Sequence, residues 1–409
     1  MAQPNIPQRP RPPRVERVQR IESDAQAIEV AHRLAARFAS GASERDRERR
    51  LPWDELDEWS ESGLGGITVP RAFGGTDVSF ATLAEIFVIL CAADPALGQI
   101  PQNHFGLLGV LREIATESQK KRFYAEVLSG ARLGNAGPER RSKTVLHGQT
   151  RLQNTGDGLR LNGERFYSTG ALFAHRVPTR ALDDQGRAVQ AWVPRDAPGL
   201  TVVDDWSSFG QRITASGTVR FEAVPVNAQD VLPIWQLADR PGLFGPNSQL
   251  IQAAIDQGIA QAAIADTLAF VRERSRPWVD SNVAQAADDP YIIADVGRLQ
   301  VDLHAAHEVL LESARELDAI AAAPVTAESS ARASVAVAHA KVLTTQIALE
   351  ASEKLLELAG SSATRETFNL GRHWRNARTH TLHDPVRWKA HLIGNYVLNG
   401  IAPPRHSWN

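Results

Sequence analysis

The spacing of hydrophobic residues divides the chain into three zones. From about residue 23 to residue 129, apolar residues recur every three or four positions, which is the spacing of one helix face. Ser23 or Asp24 is placed to cap the first of these helices. From about residue 131 to residue 231 the pattern changes to short alternating stretches separated by turn residues, among them Gly156-Asp157-Gly158, Asn162-Gly163 and Pro198-Gly199. This second zone predicts a small β domain.

Long helical repeats return from about residue 247 to residue 360. Two stripes show the spacing of three and four, namely Val296, Leu299, Leu303, Ala306 and Leu310, and Leu343, Ile347, Ala351, Leu355 and Leu358. The stretch between them contains Pro324, which predicts a turn between two helices. Such stripes indicate core or subunit interface. The chain is therefore predicted to be α+β and mainly α, with a helical domain over 21–130, a β domain over 131–235 and a helical bundle over 236–409.

Composition narrows the class of function. The chain has 409 residues, of which 43% are hydrophobic, with 45 basic and 47 acidic residues and a net charge of -2. This balance gives no electrostatic footprint for nucleic acid or an anionic membrane, so it favours work on small molecules. The single cysteine, Cys91, lies in an apolar run and is expected to be a buried hydrophobe, which fits a reducing cytoplasm. Residues 1–20 contain Arg and Pro but no apolar segment, and we expect a flexible arm.

Imidazoles stand beside a carboxylate near the C-terminal end of the sequence. After the helical run Arg375-Asn376-Ala377-Arg378, His380 and His383 precede Asp384-Pro385. Two His at this spacing suit a metal on a helix, yet no further His or Cys completes such a site, so no metal is expected. Imidazole has a pKa near working pH, which makes it a candidate donor or acid–base group.

Several motifs resemble the acyl-CoA dehydrogenase family over nearly the whole length past residue 20. Residues 62–70 (SGLGGITVP) with 73–75 (FGG) resemble its N-terminal signature, and residues 163–170 (GERFYSTG) resemble the strand along its flavin. The resemblance implies the fold of that family: an N-terminal helical domain, a central β-barrel-like domain and a C-terminal four-helix bundle. In the family an Arg-Asp-Ala-Lys helix leads into a catalytic Glu-Gly, whereas Asp384-Pro385 stands there in this chain.

Three further departures separate the chain from the dehydrogenases. The family's Thr-Glu-x-x-x-Gly-Ser-Asp loop for flavin and acyl group is replaced by residues 134–139 (GNAGPE). Arg274 of its Arg-x-x-Phe-Gly motif is kept, but Pro277-Trp278 replaces Phe-Gly. The Leu-Gly-Gly turn beside the adenine of FAD becomes residues 358–362 (LAGSS). The loss of adenine contacts favours FMN.

These changes resemble the flavin-dependent monooxygenase branch, especially the dibenzothiophene-type sulfur monooxygenases and sulfur-acquisition oxidoreductases. Matching segments are residues 103–105 (NHF), 134–136 (GNA), 166–168 (FYS), 209–212 (FGQR), 215–218 (ASGT), 276–278 (RPW) and 379–385 (THTLHDP). The resemblance implies a two-component enzyme, in which an NAD(P)H-dependent flavin reductase supplies FMNH2. It implies oxygen transfer from a flavin C4a-hydroperoxide to a small, organosulfur or otherwise largely apolar substrate, in a dry pocket with a hydrogen-bond donor.

The resemblance also assigns candidate residues. His104 and His383 are expected on the C4a side of the flavin as catalytic donors, and Ser168 and Asn135 at its edge. The remaining candidates are Phe166 against the flavin ring, Trp206 closing the substrate chamber, and Arg274 reaching the flavin phosphate of a neighbouring subunit in a homotetramer. Two alternatives remain open. One is a FAD-dependent acyl-CoA dehydrogenase or related flavin oxidase with Asp384 as base, and the other is an inert flavin-binding protein.

Overall fold

Helices make up most of the chain. A computed structural model describes residues 15–140 and 148–409; the first fourteen residues of the predicted arm lie outside this range. The helices are α1 (Asp24–Ala39), α2 (Ala42–Glu48), α3 (Trp53–Glu61), α4 (Phe80–Ala93), α5 (Pro95–Gln99), α6 (Gln102–Ile114), α7 (Glu117–Leu128), α8 (Gln236–Asp239), α9 (Phe244–Glu273), α10 (Pro290–Ala321), α11 (Ala327–Ala359), α12 (Arg372–His380) and α13 (Arg387–Asn399).

The N-terminal zone is helical, as its pattern predicts. Ser23 caps α1, and its side chain accepts a hydrogen bond from the backbone N–H of Gln26. Ahead of that cap the chain already contacts the domain, because the backbone N–H of Gln19 donates to the carbonyl of Glu61 at 2.7 Å. Residues 15–20, the described end of the predicted arm, therefore lie against the helical domain.

Seven strands form one mixed sheet between the two helical zones. They are β1 (Arg151–Asn154), β2 (Leu159–Arg165), β3 (Arg176–Leu182), β4 (Ala188–Pro194), β5 (Leu200–Val203), β6 (Thr218–Val226) and β7 (Val231–Leu232), in the spatial order β5-β6-β2-β1-β3-β4-β7. The two outer strands, β5 and β7, do not pair with each other in this order. The central domain is thus an open sheet, and the barrel-like closure implied by the resemblance is not formed.

One of the predicted turns lies inside a strand. Residues 156–158 do turn the chain between β1 and β2, but Asn162-Gly163 belongs to β2, where the register shifts against β6. Gly163 has a φ of +143°, and a Cβ there would lie 2.5 Å from Oγ1 of Thr150. Glycine is therefore required here because β2 bulges and its backbone passes close to Thr150. An Asn-Gly pair in the sequence does not distinguish such a bulge from a turn.

The C-terminal zone is a helical bundle. The helices α9, α10 and α11 pack against one another, α4 of the first zone packs on α9, and α13 packs on α11. Both predicted stripes face inward, with Leu310 and Leu355 fully buried, and Pro324 lies in the connection between α10 and α11. Cys91 is buried as predicted. None of the helices in the described part of the chain is long and apolar enough to cross a membrane.

Candidate active site

A cavity of about 460 Å³ opens where the three zones meet. Its walls come from α6, the start of α9, the loop before the β domain and the C-terminal segment 405–409. The exposed surface of these walls is mainly apolar, with side chains such as Leu107, Val110, Ile234, Phe244 and Trp408, although polar side chains such as Asn135, Gln190 and His383 are more numerous. A cavity of several hundred Å³ with a mainly apolar surface and some polar groups is typical of a small-molecule site.

His383 lies in the turn between α12 and α13 and lines this cavity. The side-chain amide of Gln252 on α9 donates from Nε2 to Nδ1 of His383 at 3.1 Å. The same Nδ1 lies 3.7 Å from Oδ1 of Asp384, so both neighbours contact the ring through one nitrogen. The side chain of His383 is 38% exposed. The structure thus places a partly exposed imidazole in the wall of the cavity.

Asp384 follows His383 and is more deeply buried. It is 6% exposed and lines a second cavity, of about 430 Å³, between α13 and residues 401–409. Nζ of Lys389 lies 3.6 Å from its Oδ2. Burial opposes its ionisation, but the neighbouring His383, whose Nδ1 lies 3.7 Å from Oδ1, and the charges of Lys341 and Lys389 hold the pKa of Asp384 well below its usual range. A carboxylate with so low a pKa is a weak base.

Asn135 contacts the residues on either side of Ser168. The backbone N–H of Asn135 donates to the carbonyl of Thr169 at 3.1 Å, and Nδ2 of Asn135 is 3.5 Å from the carbonyl of Tyr167. Ser168 is 1% exposed, and its Oγ has no hydrogen-bond partner within the described residues. The same is true of both side-chain polar atoms of Gln211. A buried polar atom without a protein partner requires an explanation such as a bound polar group or an ordered water.

Phe166 and Trp206 form an aromatic cluster beside Ser168. Their ring centroids lie 6.2 Å apart, Tyr167 lies 4.8 Å from Phe166, and the guanidinium of Arg140 lies 3.7 Å above the Phe166 ring. The indole Nε1 of Trp206 donates to the carbonyl of Gln211 at 2.9 Å. Neither Phe166 nor Trp206 is among the residues that line the 460 Å³ cavity. The structure thus brings these aromatics to the predicted flavin strand and separates Trp206 from the chamber it is predicted to close.

His104 is not placed with His383. It is 1% exposed and does not line the cavity, whereas its neighbour Asn103 does. Nδ1 of His104 accepts from the backbone N–H of Leu133 at 3.1 Å, so Nε2 carries the proton and donates to the carbonyl of Gly65 at 2.8 Å. Burial lowers the pKa of His104 to about 4. Both ring nitrogens therefore hold backbone in place, and this geometry leaves no free donor for the predicted catalytic role.

Arg274 is far from the other candidates. It follows α9, a helix of 30 residues whose first turn lines the cavity. At about 1.5 Å per residue the helix is about 45 Å long, so Arg274 lies at the opposite end. It is exposed, with its guanidinium 5.1 Å from the ring centroid of Phe368. Arg274 therefore does not belong to the wall of this cavity.

A buried polar cluster next to the site was not predicted. Oδ1 of Asp256 on α9 accepts from Nδ1 of His380 at 2.5 Å, and Oδ2 accepts from Nζ of Lys341 at 2.6 Å. The side chains of Asp256 and His380 are both 0% exposed. A sequence signal existed, because Asp256 and Lys341 are single charges at apolar positions of helices.

Among residues 15–140 and 148–409 no group of His, Cys, Asp and Glu is arranged to hold a metal ion.

Two family models match the chain. The model described as acyl-CoA dehydrogenase, N-terminal domain, matches residues 22–131, and the model described as acyl-CoA dehydrogenase, C-terminal domain, matches residues 250–388. The matched ranges cover the two helical zones that enclose the cavity.

Individual relatives match over nearly the full length. A dibenzothiophene monooxygenase of Mycolicibacterium goodii is 32% identical over 391 residues, 92% of this chain and 94% of that protein. A probable FMNH2-dependent monooxygenase of Pseudomonas putida is 29% identical over 92% of this chain and 96% of its own length. The crystal structure of FMN-bound TdsC from Paenibacillus sp. A11-2 superposes with a TM-score of 0.90 at 32% identity, covering 94% of this chain and all of that one.

Proposed function

This chain belongs to the acyl-CoA dehydrogenase family, and within it we propose that the protein is an FMNH2-dependent two-component monooxygenase acting on a small organosulfur compound. Bound reduced FMN supplies the electrons that activate O2, with one oxygen atom passing to the substrate and the other leaving as water. The observation that carries the proposal is His383, a partly exposed imidazole held by Gln252 in the wall of a cavity whose surface is mainly apolar.

Different groups of residues have different roles in the proposed oxygen transfer. Apolar side chains from α6, α9 and the C-terminal segment keep water from the substrate, which protects a reactive oxygen species from wasteful loss. The Nε2–H of His383 donates a hydrogen bond to oxygen at the reacting centre. The unpartnered Oγ of Ser168 and the side chain of Asn135 hold the polar edge of FMN, and Phe166 packs against its ring.

The dehydrogenase alternative requires a carboxylate base at the substrate. Asp384, the residue at the position of the family's catalytic Glu, lines the second cavity, and its low pKa makes it a poor base. The remaining carboxylate on the main cavity, Glu113, accepts the backbone N–H of Leu243 at 2.8 Å and so holds the start of α9. The low pKa of Asp384 counts against dehydrogenation; burial raises the pKa of Glu113, but its Oε1 is already bonded to the start of α9.

The site is proposed to be completed by a second subunit. Arg274 lies at the opposite end of α9 from the cavity, and we propose that it contacts the FMN phosphate of another copy. Exposed apolar side chains on α10 and α13, including Tyr291, Val301, Trp388 and Leu398, offer surface for such contacts. We propose a homotetramer, and a cytoplasmic setting in which an NAD(P)H-dependent flavin reductase delivers FMNH2.

Turnover with isotopically labelled oxygen tests the function. The protein is incubated with FMN, NADH, a generic flavin reductase and a panel containing dibenzothiophene, simple sulfides, sulfoxides and sulfones, under labelled O2. The expected result is a product heavier by one or two labelled oxygen atoms that requires all components. Labelled hydrogen peroxide without any oxygenated product across the panel would contradict an organosulfur substrate. Reduction of an added electron acceptor by an acyl-CoA would instead support the dehydrogenase.

A further inference from the structure

Two aspartate–histidine contacts join α9 to α12. Near the cavity, Oδ1 of Asp256 accepts from Nδ1 of His380 at 2.5 Å. Farther along α9, Oδ2 of Asp266 accepts from Nε2 of His373 at 2.8 Å. Both imidazoles are buried, with 1% and 3% of their surface exposed. The two contacts have the same chemistry, yet they differ in what lies beside them.

Only the first contact is continuous with the proposed site. Gln252, which holds Nδ1 of His383, precedes Asp256 by one helical turn on α9, so the two side chains share one helix face. On the other side, the backbone N–H of His383 donates to the carbonyl of His380 at 3.0 Å. Two successive turns of α9 thus hold two imidazoles that are three residues apart.

The carboxylate of Asp256 is itself held in one orientation. Its Oδ2 accepts from Nζ of Lys341 at 2.6 Å and from Oγ1 of Thr345 at 3.0 Å, both on α11, which leaves Oδ1 for His380. Although burial opposes ionisation, Lys341 and His380 hold the pKa of Asp256 below its ordinary value. A buried ion pair adds little net stability compared with apolar residues of the same size, so its value here is in fixing geometry.

We propose that Asp256 is a positioning residue for His383: by fixing His380 at the end of α12, it sets the turn that presents the His383 ring to Gln252 and to the cavity. This inference rests on the proposed function, because it concerns how the donor of that reaction is aimed. Asp256 does not touch the cavity, and its effect passes through His380 and the turn that follows.

The experiment removes each aspartate together with its cation. In D256L/K341M no buried charge is left unpaired, so the fold is retained, but His380 loses its acceptor. The matched control D266L/R372M removes the second aspartate and the arginine that lies 2.7 Å from it. A third variant, D256N/K341M, keeps an acceptor oxygen for His380. Each protein is assayed with dibenzothiophene, FMN, NADH and a flavin reductase for oxygenated product and hydrogen peroxide, and apo-proteins are compared by hydrogen–deuterium exchange.

D256L/K341M is expected to lower the product-to-peroxide ratio by about tenfold or more, since a misplacement of about 1 Å costs up to about 10²-fold. Exchange over residues 380–386 should be faster in this variant alone, while D266L/R372M keeps the normal ratio. D256N/K341M should recover most of the ratio. An unchanged ratio or unchanged exchange in D256L/K341M, an equal loss in the control, or no recovery in D256N/K341M would each overturn the proposal.

The variant H383A separates this inference from the function on which it rests. If H383A lowers the ratio and D256L/K341M does not, the donor role of His383 stands and the positioning role of Asp256 is overturned. If H383A leaves the ratio unchanged, the donor role of His383 fails, and a positioning role toward it fails with it. Absence of any oxygenated product from the wild-type protein across the organosulfur panel would count against the proposed substrate class and, by removing the reaction that His383 serves, against both roles.

Discussion

The side-chain amide of Gln252 contacts Nδ1 of His383 at 3.1 Å, and the same nitrogen lies 3.7 Å from Oδ1 of Asp384. An imidazole held through Nδ1 leaves Nε2 for a ligand in the cavity. The first expected outcomes follow from this contact.

Replacing His383 by Ala should leave folding and FMNH2 binding largely intact and lower oxygenated product by about 10²- to 10⁴-fold, with more hydrogen peroxide per NADH consumed. The reason is the loss of the Nε2–H donor. Product, peroxide and the melting temperature are measured together. A lower melting temperature with an unchanged ratio of product to peroxide would instead make His383 a structural residue.

His104 should govern acid stability. Its pKa is about 4 in the folded protein against about 6.5 ordinarily, so the unfolded chain binds the additional proton between these values. The stability that comes from a neutral His104 is complete above about pH 6.5 and falls by about 3 kcal/mol as the pH drops to about 4. Urea unfolding from pH 4 to pH 7 should show a shallower pH dependence in His104→Gln. If His104→Gln had a normal melting temperature but a lowered product-to-peroxide ratio, His104 would instead have a catalytic role.

Ser168→Ala should leave the stability of the apo-protein within about 1 kcal/mol, because Oγ of Ser168 has no partner to lose in the described chain. FMN affinity should fall by roughly tenfold through the loss of one hydrogen bond to the flavin edge. Quenching of flavin fluorescence measures the affinity. Thr267→Val is the control, since that buried hydroxyl bonds to the carbonyl of Ala263; its flavin affinity should be normal.

Arg274 should act on the flavin of a neighbouring chain. Arg274→Ala and Ser168→Leu homo-oligomers are each expected to bind FMN poorly, whereas a co-expressed hybrid should regain intact sites, with Ser168 from one chain and Arg274 from the other. Light scattering and flavin titration measure assembly and site number. A hybrid that binds no better than its parents, or a monomer that binds FMN normally, would exclude a shared site.

The purified protein should be nearly colourless and should bind reduced FMN more tightly than oxidised FMN. This expectation follows from the replacement of the family's adenine-contacting turn by residues 358–362. Absorbance at flavin wavelengths and anaerobic titration measure it. If the purified protein is yellow and contains one FAD per chain, the result would instead favour a FAD-dependent acyl-CoA dehydrogenase.

The sequence by itself determined the order of the domains and the family. Helical spacing around Leu310 and Leu355 predicts buried faces because side chains three and four residues apart share one side of a helix, and both residues are buried. The motifs at residues 62–70 and 163–170 identify the family, because glycine and aromatic residues at fixed spacing are local features of the chain. These properties depend on neighbours that are close in sequence.

Only the tertiary structure decided which imidazole is free to donate. In sequence, His104 and His383 are equivalent candidates. In the structure, Gly65 and Leu133 hold both ring nitrogens of His104, whereas Gln252 and Asp384 approach only Nδ1 of His383. Such hydrogen bonds join residues tens of positions apart, and the spacing of residues along a chain does not encode where those partners meet. For the same reason the sequence does not reveal the contact between Asp256 and His380, which forms only when α9 and α12 pack together.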